Sequence, residues 1–462
     1  MSKDINDPPG RQVPRGRLSR LGQFGRLAGS VAGGMIAEGG RRLAAGERPQ
    51  LRDMLLTPGN VGKVADRLSH LRGAAMKLGQ MISMDAGDLL PAELSAIMAR
   101  LRDNAQHMPA AQLQQVLARE WGADWRTRFS HFDHRPIAAA SIGQVHRAIT
   151  RDGRELAIKV QYPGVRESIE ADVDNVATLL RMSGVLPRGF EIGPLLGEAK
   201  RQLSEEADYQ REGRQMVLLG RLLADMPEVI VPTLDPDLTT SGVLAMTFLE
   251  GRPIESLETA PQDARNAAMQ TLIRVVLREL FEFGVMQTDP NFGNYRIQPR
   301  TGRLVLLDFG ATRAVAPETV AGYRDLLRAS LSGDRVAARD AALAAGFLGP
   351  AVVARHGAAV DQIIDVIQGE LSRPGLFDFG DRRFVEALRV RGVEIAADSG
   401  AWHLPPTDIL FVQRKISGTA LLAARLKARV DIHKTVEPWI GSPPKRRGRA
   451  AKPPAKDASR PA

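Results

Sequence analysis

The 462-residue chain contains no cysteine. Neither a disulfide framework nor a thiolate metal site can form, and any bound metal is expected on oxygen ligands. Aromatic residues are scarce, 5% of the chain against 44% hydrophobic residues overall. An apolar content led by alanine, leucine and valine is expected to favour helices over a β-sandwich. A long hydrophobic run is also missing. The weakly polar stretch from Leu27 to Ala37 falls short of the roughly 20 apolar residues needed to cross a bilayer. The opening Met-Ser-Lys-Asp-Ile-Asn-Asp-Pro-Pro lacks the apolar core and cleavage site of a secretory signal. The chain is therefore expected not to span a membrane and to stay on its cytoplasmic side.

Positive charge is abundant. The net charge is +10, with much of the excess between Arg11 and Arg42 and between Lys445 and Arg460. No aromatic-rich basic sheet or recognition helix accompanies it, so nucleic acid is not an expected partner. The length exceeds what one core normally supports, which implies two or more packed units in a mainly helical α+β protein.

The chemistry is concentrated near residue 300. Asp289-Pro-Asn-Phe-Gly-Asn294 is followed by the apolar run leading to Asp308-Phe309-Gly310. This is the order in which kinase-like folds present a catalytic carboxylate and two magnesium ligands. Asp289 is expected to orient a hydroxyl or water and accept its proton. Asn294 and Asp308 are expected to bind Mg²⁺, which takes a few oxygen ligands and keeps some of its water. Upstream, Glu155-Leu-Ala-Ile-Lys159-Val-Gln reads as a buried strand carrying the lysine that reaches nucleotide phosphates. Just before it, Ala138-Ala139-Ala140-Ser141-Ile142-Gly143-Gln144 occupies the place of a glycine-rich phosphate loop.

Lys159 needs a carboxylate to hold it. The segment Glu205-Glu206-Ala-Asp208-Tyr-Gln-Arg-Glu212 offers several, further along the chain than a direct strand-to-helix connection needs, so extra helices are expected to be inserted here. Leu249-Glu250-Gly251 is expected to link two lobes, with the backbone around Glu250 taking the adenine. Ala316-Pro-Glu318 resembles the end of an activation segment but follows Gly310 after only a few residues; it reads instead as a helix start with Pro317 in the first turn.

The chain divides by pattern into a disordered basic tail over 1–20, a glycine-rich amphipathic segment over 21–50, and a helical region over 51–130. An N-lobe with inserted helices follows over 131–250, then a helical C-lobe over 251–441 and a second basic tail over 442–462. Strands are expected to begin near Ile137, with Arg151-Asp-Gly-Arg154 as a hairpin turn. Helices are expected over 166–182 and 194–221, strands over Val229–Pro232 and Gly242–Phe248, and a long helix over Gln262–Gly284. Gly25, Gly29 and Gly33 recur every four residues, the spacing either of a membrane-associated or dimerising helix or of an ordinary glycine-rich surface helix.

Together these residues resemble the UbiB family of atypical kinase-like proteins, and especially its coenzyme Q branch, over about Leu18 to Trp439. The family's helix motif appears as Lys77-Leu-Gly79-Gln80, its alanine-rich loop as Ala138 to Gln144, and its E-x-D as Glu206-Ala207-Asp208. The loop Met286-Gln287-Thr288-Asp289, the run Asp308 to Arg313 and Arg414-Lys-Ile-Ser-Gly418 look like the coenzyme Q branch. The resemblance implies an atypical kinase-like bilobal fold and an ion pair between Lys159 and Glu212. It also implies that the helix of Lys77 and Gln80 covers the cleft against Glu206 and Asp208, a regulatory arrangement that keeps protein substrates out. Gln287 and Thr288 stand where a His and an Arg are usual, so an activation-segment phosphate has no arginine to engage.

The function expected is that of a Mg²⁺-dependent ATPase or small-molecule kinase using ATP or ADP in ubiquinone or related isoprenoid-lipid biosynthesis. The alternatives are a non-catalytic, nucleotide-gated lipid-binding scaffold and a protein kinase. Expected partners are nucleotide, the inner face of a membrane or an isoprenoid lipid, quinone-pathway enzymes and a second copy of the chain.

Overall fold

The computed structural model describes residues 108–182, 193–381, 383–398, 403 and 405–441. The calls on both basic tails, the Gly25/Gly29/Gly33 segment and the Lys77-Leu-Gly79-Gln80 motif lie outside them. The described residues form two compact units, one of 108–253 with 293–312 and one of 254–292 with 313–441.

The first unit is built on an antiparallel sheet of β1 (Phe129–Phe132), β3 (Gly143–Thr150), β4 (Glu155–Gln161) and β6 (Val243–Thr247), with the short β2 (Ala138–Ala139) paired to β3. Among the described residues strands thus begin at Phe129, earlier than expected, inside the region read as helical. The β3–β4 hairpin closes through Arg151 to Arg154 as the sequence suggests, with Gly153 at φ +84°, a backbone geometry that costs glycine nothing.

Period-2 alternation divides β4 between two surroundings. Leu156, Ile158 and Val160 enter a core with Ala148, Val243 and Ala245, covered by α1 (Ala110–Trp121) through Leu113, Val116, Leu117 and Trp121. The scarce aromatics are concentrated here, with Trp121, Trp125, Phe129 and Phe132 at ring spacings of 5.0 to 6.2 Å. Lys159 and Gln161 lie on the other set of β4 positions.

Among the described residues three helices are inserted between β4 and β6: α2 (Val165–Met182), α3 (Gly193–Glu206) and α4 (Tyr209–Leu222). The single helix expected over 194–221 is two, because Ala207 and Asp208 form a corner. Gln161 Nε2 donates to the Ala207 carbonyl at 2.7 Å, and Asp208 caps α4 by accepting the Arg211 N–H at 2.9 Å. The strand at Val229 is shorter than expected and joins a second sheet. There β5 (Val229–Ile230) runs parallel to β10 (Leu304–Leu306), followed by β9 (Tyr295–Ile297) and β7 (Arg252–Pro253). These pairings draw 293–312, with Asn294 and Asp308, into the first unit.

The second unit is helical. Its α5 (Gln262–Arg278) runs into a π-turn over Glu279–Phe283, which ends at Gly284 with φ 61°. The strand β8 (Val285–Gln287) carries the chain towards Asp289, and Thr312–Ala314 is β11. There follow α6 (Pro317–Leu331), α7 (Arg335–Ala344), α8 (Pro350–Leu371), α9 (Arg383–Ala397) and α10 (Thr407–Arg425). The short strands β12 (Phe377–Asp378) and β13 (Arg429–Val430) pair, and α11 (Ile432–Val436) is the last α-helix among the described residues. Pro317 opens α6 at its first turn, as expected for the Ala316-Pro-Glu318 sequence. Val276, Leu280, Phe281, Met286, Val315 and Val412 form its core around the base of β8. No helix among the described residues is long and apolar enough to cross a membrane.

Candidate active site

In the first unit β4, α4 and the end of β10 bring three charged side chains together. Lys159 Nζ donates to both carboxylate oxygens of Glu212 at 2.9 Å and stands 3.6 Å from Asp308 Oδ2. The Lys159 and Glu212 residues are buried, whereas the Asp308 side chain is one-third exposed. Burial works against the Lys159 ammonium, but the carboxylates of Asp308 and Glu212 outweigh it and hold its pKa well above the ordinary lysine value. The charged lysine is therefore the favoured form. The resemblance, rather than spacing, singled out Glu212 among the nearby acids, and the structure selects the same residue.

Tyr209 lies one turn before Glu212. Its ring is fully buried, with Lys159 Nζ 5.1 Å from the ring centroid. Sequence reading missed this residue; its place three positions before Glu212, on the same helical face, was the available signal.

The loop over 138–144 is shaped by contacts of several kinds. A Cβ on Gly143 would overlap the Val160 carbonyl oxygen, so only glycine allows β3 this close to β4. Ala140 N–H donates to the Gly143 carbonyl at 2.9 Å, closing the turn, and Ala138 and Ala139 pair with Val145 and Gln144. Two loop residues direct their side chains inward. Ile142 is buried, and Gln144 accepts from Met108 N–H at 2.8 Å while its Nε2 lies 2.9 Å from His146 Nε2. Expected as ligand contacts, they leave only their backbone to the loop, because their side chains are used in packing and internal hydrogen bonds. Ser141 Oγ donates to Glu206 Oε2 at 2.7 Å, joining the loop to the end of α3. Glu206 thus meets the loop over 138–144 and Asp208 caps α4; their expected partners Lys77 and Gln80 lie outside the described residues.

Asp308 Oδ1 accepts the Gly310 N–H at 3.0 Å. Asn294 is buried, and its carbonyl accepts the Leu307 N–H at 3.1 Å, placing it beside the strand that leads to Asp308. No group of three or more His, Cys, Asp or Glu side chains poised for a metal occurs among the described residues. The partly exposed Asp308 carboxylate fits Mg²⁺, which is held by one or two carboxylates together with nucleotide phosphates and water. Glu250 is exposed just beyond β6, and the neighbouring Gly251 carbonyl accepts from Arg296 Nη1 at 2.7 Å.

In the second unit Asp289 is half-buried and accepts the Asn291 N–H at 3.3 Å. The residues around it are held by α10. Lys415 Nζ donates to Gln287 Oε1 at 2.8 Å, and Gly418 lies against Pro290 where a Cβ would overlap the proline ring. These two contacts account for Lys415 and Gly418 within Arg414-Lys-Ile-Ser-Gly418.

The ABC1 atypical kinase-like domain model matches residues 100–342. The chain belongs to this family. It is 37% identical over 426 residues, covering 91% of this chain and 84% of the other, to the mitochondrial atypical kinase COQ8 of Saccharomyces cerevisiae. It is also 37% identical over 432 residues to the mitochondrial atypical kinase COQ8B of Rattus norvegicus, spanning 80% of that protein. Among solved structures, the Rv3197–erythromycin complex from Mycobacterium tuberculosis matches with a TM-score of 0.58 at 26% identity, covering 81% of this chain and 93% of that one. The family and its mixed helix-and-sheet, kinase-like fold are those anticipated from the motifs.

Proposed function

We propose that the chain is a Mg²⁺-dependent ATPase or small-molecule kinase that supports ubiquinone or related isoprenoid-lipid biosynthesis. The observation that carries this reading is the Lys159–Glu212 pair with Asp308 beside it, a charged lysine next to a partly exposed carboxylate. Lys159 would engage the phosphates of ATP or ADP, with the turn over 138–144 covering them and the backbone at Glu250 taking the adenine. Asp308 and Asn294 would hold Mg²⁺, which when bound neutralises phosphate charge. On its motif, Asp289 is assigned the proton of the attacking hydroxyl or water. Oxygen–phosphorus bond formation at the γ-phosphate accompanies cleavage of the bond to the bridging oxygen, with ADP leaving. The similarity to the mitochondrial atypical kinases COQ8 and COQ8B supports the pathway assignment. The arginines flanking Gly25, Gly29 and Gly33 support peripheral binding to the inner, anionic face of a membrane.

The deciding experiment is ATP turnover by the full chain, with and without Mg²⁺, quinone-precursor-like phenols and anionic liposomes, with Asp308→Asn as the control. Turnover that needs Mg²⁺, rises with phenol or lipid and disappears in the variant supports the reading. Nucleotide binding without turnover under any condition replaces it with the nucleotide-gated scaffold.

A further inference from the structure

Arg211 sits next to Glu212 on α4 and was not singled out by any motif. Its Nη1 donates to the Gly310 carbonyl at 2.6 Å and its Nη2 to the Thr312 carbonyl at 2.6 Å. Two carbonyls two residues apart, on the turn that the Thr312 N–H closes onto the Phe309 carbonyl, match the fixed fork of a guanidinium, which a lysine ammonium cannot span. Glu205 Oε2 lies 3.9 Å from the same guanidinium, and the Arg211 backbone N–H is taken by the Asp208 cap.

The Gly310 peptide groups link this contact to the site. The Gly310 N–H donates to Asp308 Oδ1, while its carbonyl accepts from Arg211. A second route runs from Glu212 through Lys159 to Asp308 Oδ2. Asp308 is therefore held on both oxygens by connections that begin at adjacent residues of one helical turn. Few residues separate Gly310 from α6, so the chain has no length for a long modifiable segment.

We propose that Arg211 is a positioning residue that fastens the segment after Asp308 to the helix carrying Glu212, keeping Asp308 oriented for nucleotide-bound metal without any covalent modification. The proposal rests on the nucleotide-site reading for its purpose, though not for its geometry. Kinase-like proteins that order this segment by phosphorylation supply charge to engage arginine. Here the acceptors are neutral carbonyls that are always present, so the clamp is permanent.

The test compares full-length wild type, Arg211→Lys and Arg211→Ala by amide hydrogen exchange over residues 309–315 in the absence of ligand, and by ADP affinity with and without Mg²⁺. Arg211→Ala is expected to speed exchange in this segment about tenfold or more, with α1 and the β3–β4 hairpin unchanged, and Arg211→Lys to fall between. ADP affinity without Mg²⁺ should change less than about twofold, while the gain in affinity on adding Mg²⁺ should fall about tenfold. Unchanged exchange over 309–315, or faster exchange spread equally across the unit, overturns the clamp. Should Arg211→Ala fail to fold, Arg211→Lys carries the same readout. If wild type binds no nucleotide, the functional reading fails while the exchange comparison still decides the clamp.

Discussion

Lys415 donates to Gln287 at 2.8 Å from the interior of α10, two residues ahead of Asp289. Both residues are buried, and the Gln287 backbone N–H turns towards Glu279 Oε1 at 3.4 Å in the π-turn that closes α5. A helix late in the sequence therefore grips the strand that delivers the proposed proton acceptor. Gly418, one turn beyond Lys415, makes room for Pro290 on the other side of Asp289.

Substituting Gly418→Ala should push Pro290 away from α10 and tilt the Asp289 loop. We expect ATP turnover to fall by about tenfold or more with nucleotide affinity nearly unchanged, since a small misplacement of a reacting group is costly to rate. Parallel losses in turnover and ADP affinity would argue against a local effect on Asp289.

Glu279 supplies a pH dependence. Burial pushes its carboxyl up to about 7, against the opposing pull of Lys415 and the Gln287 N–H. A raised folded-state pKa means that the folded protein holds the proton more tightly than the unfolded chain. The resulting contribution is complete below about pH 4.5 and is lost as pH rises through about 7. Relative to Glu279→Gln, wild type should lose on the order of 3 kcal/mol of stability between pH 4.5 and 8. Denaturant unfolding of both proteins across that range checks this, and parallel pH profiles would refute it.

Lys159→Met should leave the buried Glu212 carboxylate without its cation, at a cost of about 3–5 kcal/mol. The double substitution Lys159→Met with Glu212→Leu should regain much of that loss, because neither charge is then stranded. Urea unfolding of the two single variants and the double variant tests the coupling. Additive losses would mean that the pair contributes no interaction of its own.

Gly143→Ala places a methyl group against the Val160 carbonyl, a backbone atom that cannot swing aside. Forcing β3 from β4 should cost about 1–3 kcal/mol and weaken ADP binding severalfold. Thermal melts and ADP titration give the answer; full retention of both would show that the strands separate freely there.

Much of the site was readable because its signals are local. The alternating burial of β4 around Lys159, the motif that ends at Asp308 and the hairpin glycine at 153 are properties of short segments. Glu212 was harder: from sequence it was one acid among several, and only the resemblance chose it. Tyr209 and Arg211 escaped notice because their roles depend on which atoms approach them, and the Arg211 acceptors are main-chain carbonyls about a hundred residues away. The sheet partner of Val229 was equally hidden, because pairing with Leu304 joins strands remote in sequence.

By itself the sequence determined the family, the α+β class, the buried strand with its lysine and the acidic motifs, since each is written in composition, periodicity or order along the chain. The tertiary structure alone decided which loop side chains turn inward, why Gly143 and Gly418 must lack a side chain, and how Arg211 fastens the segment after Asp308. Those outcomes depend on close approach between segments far apart in the chain, where a few tenths of an ångström determine whether a hydrogen bond forms or a side chain fits.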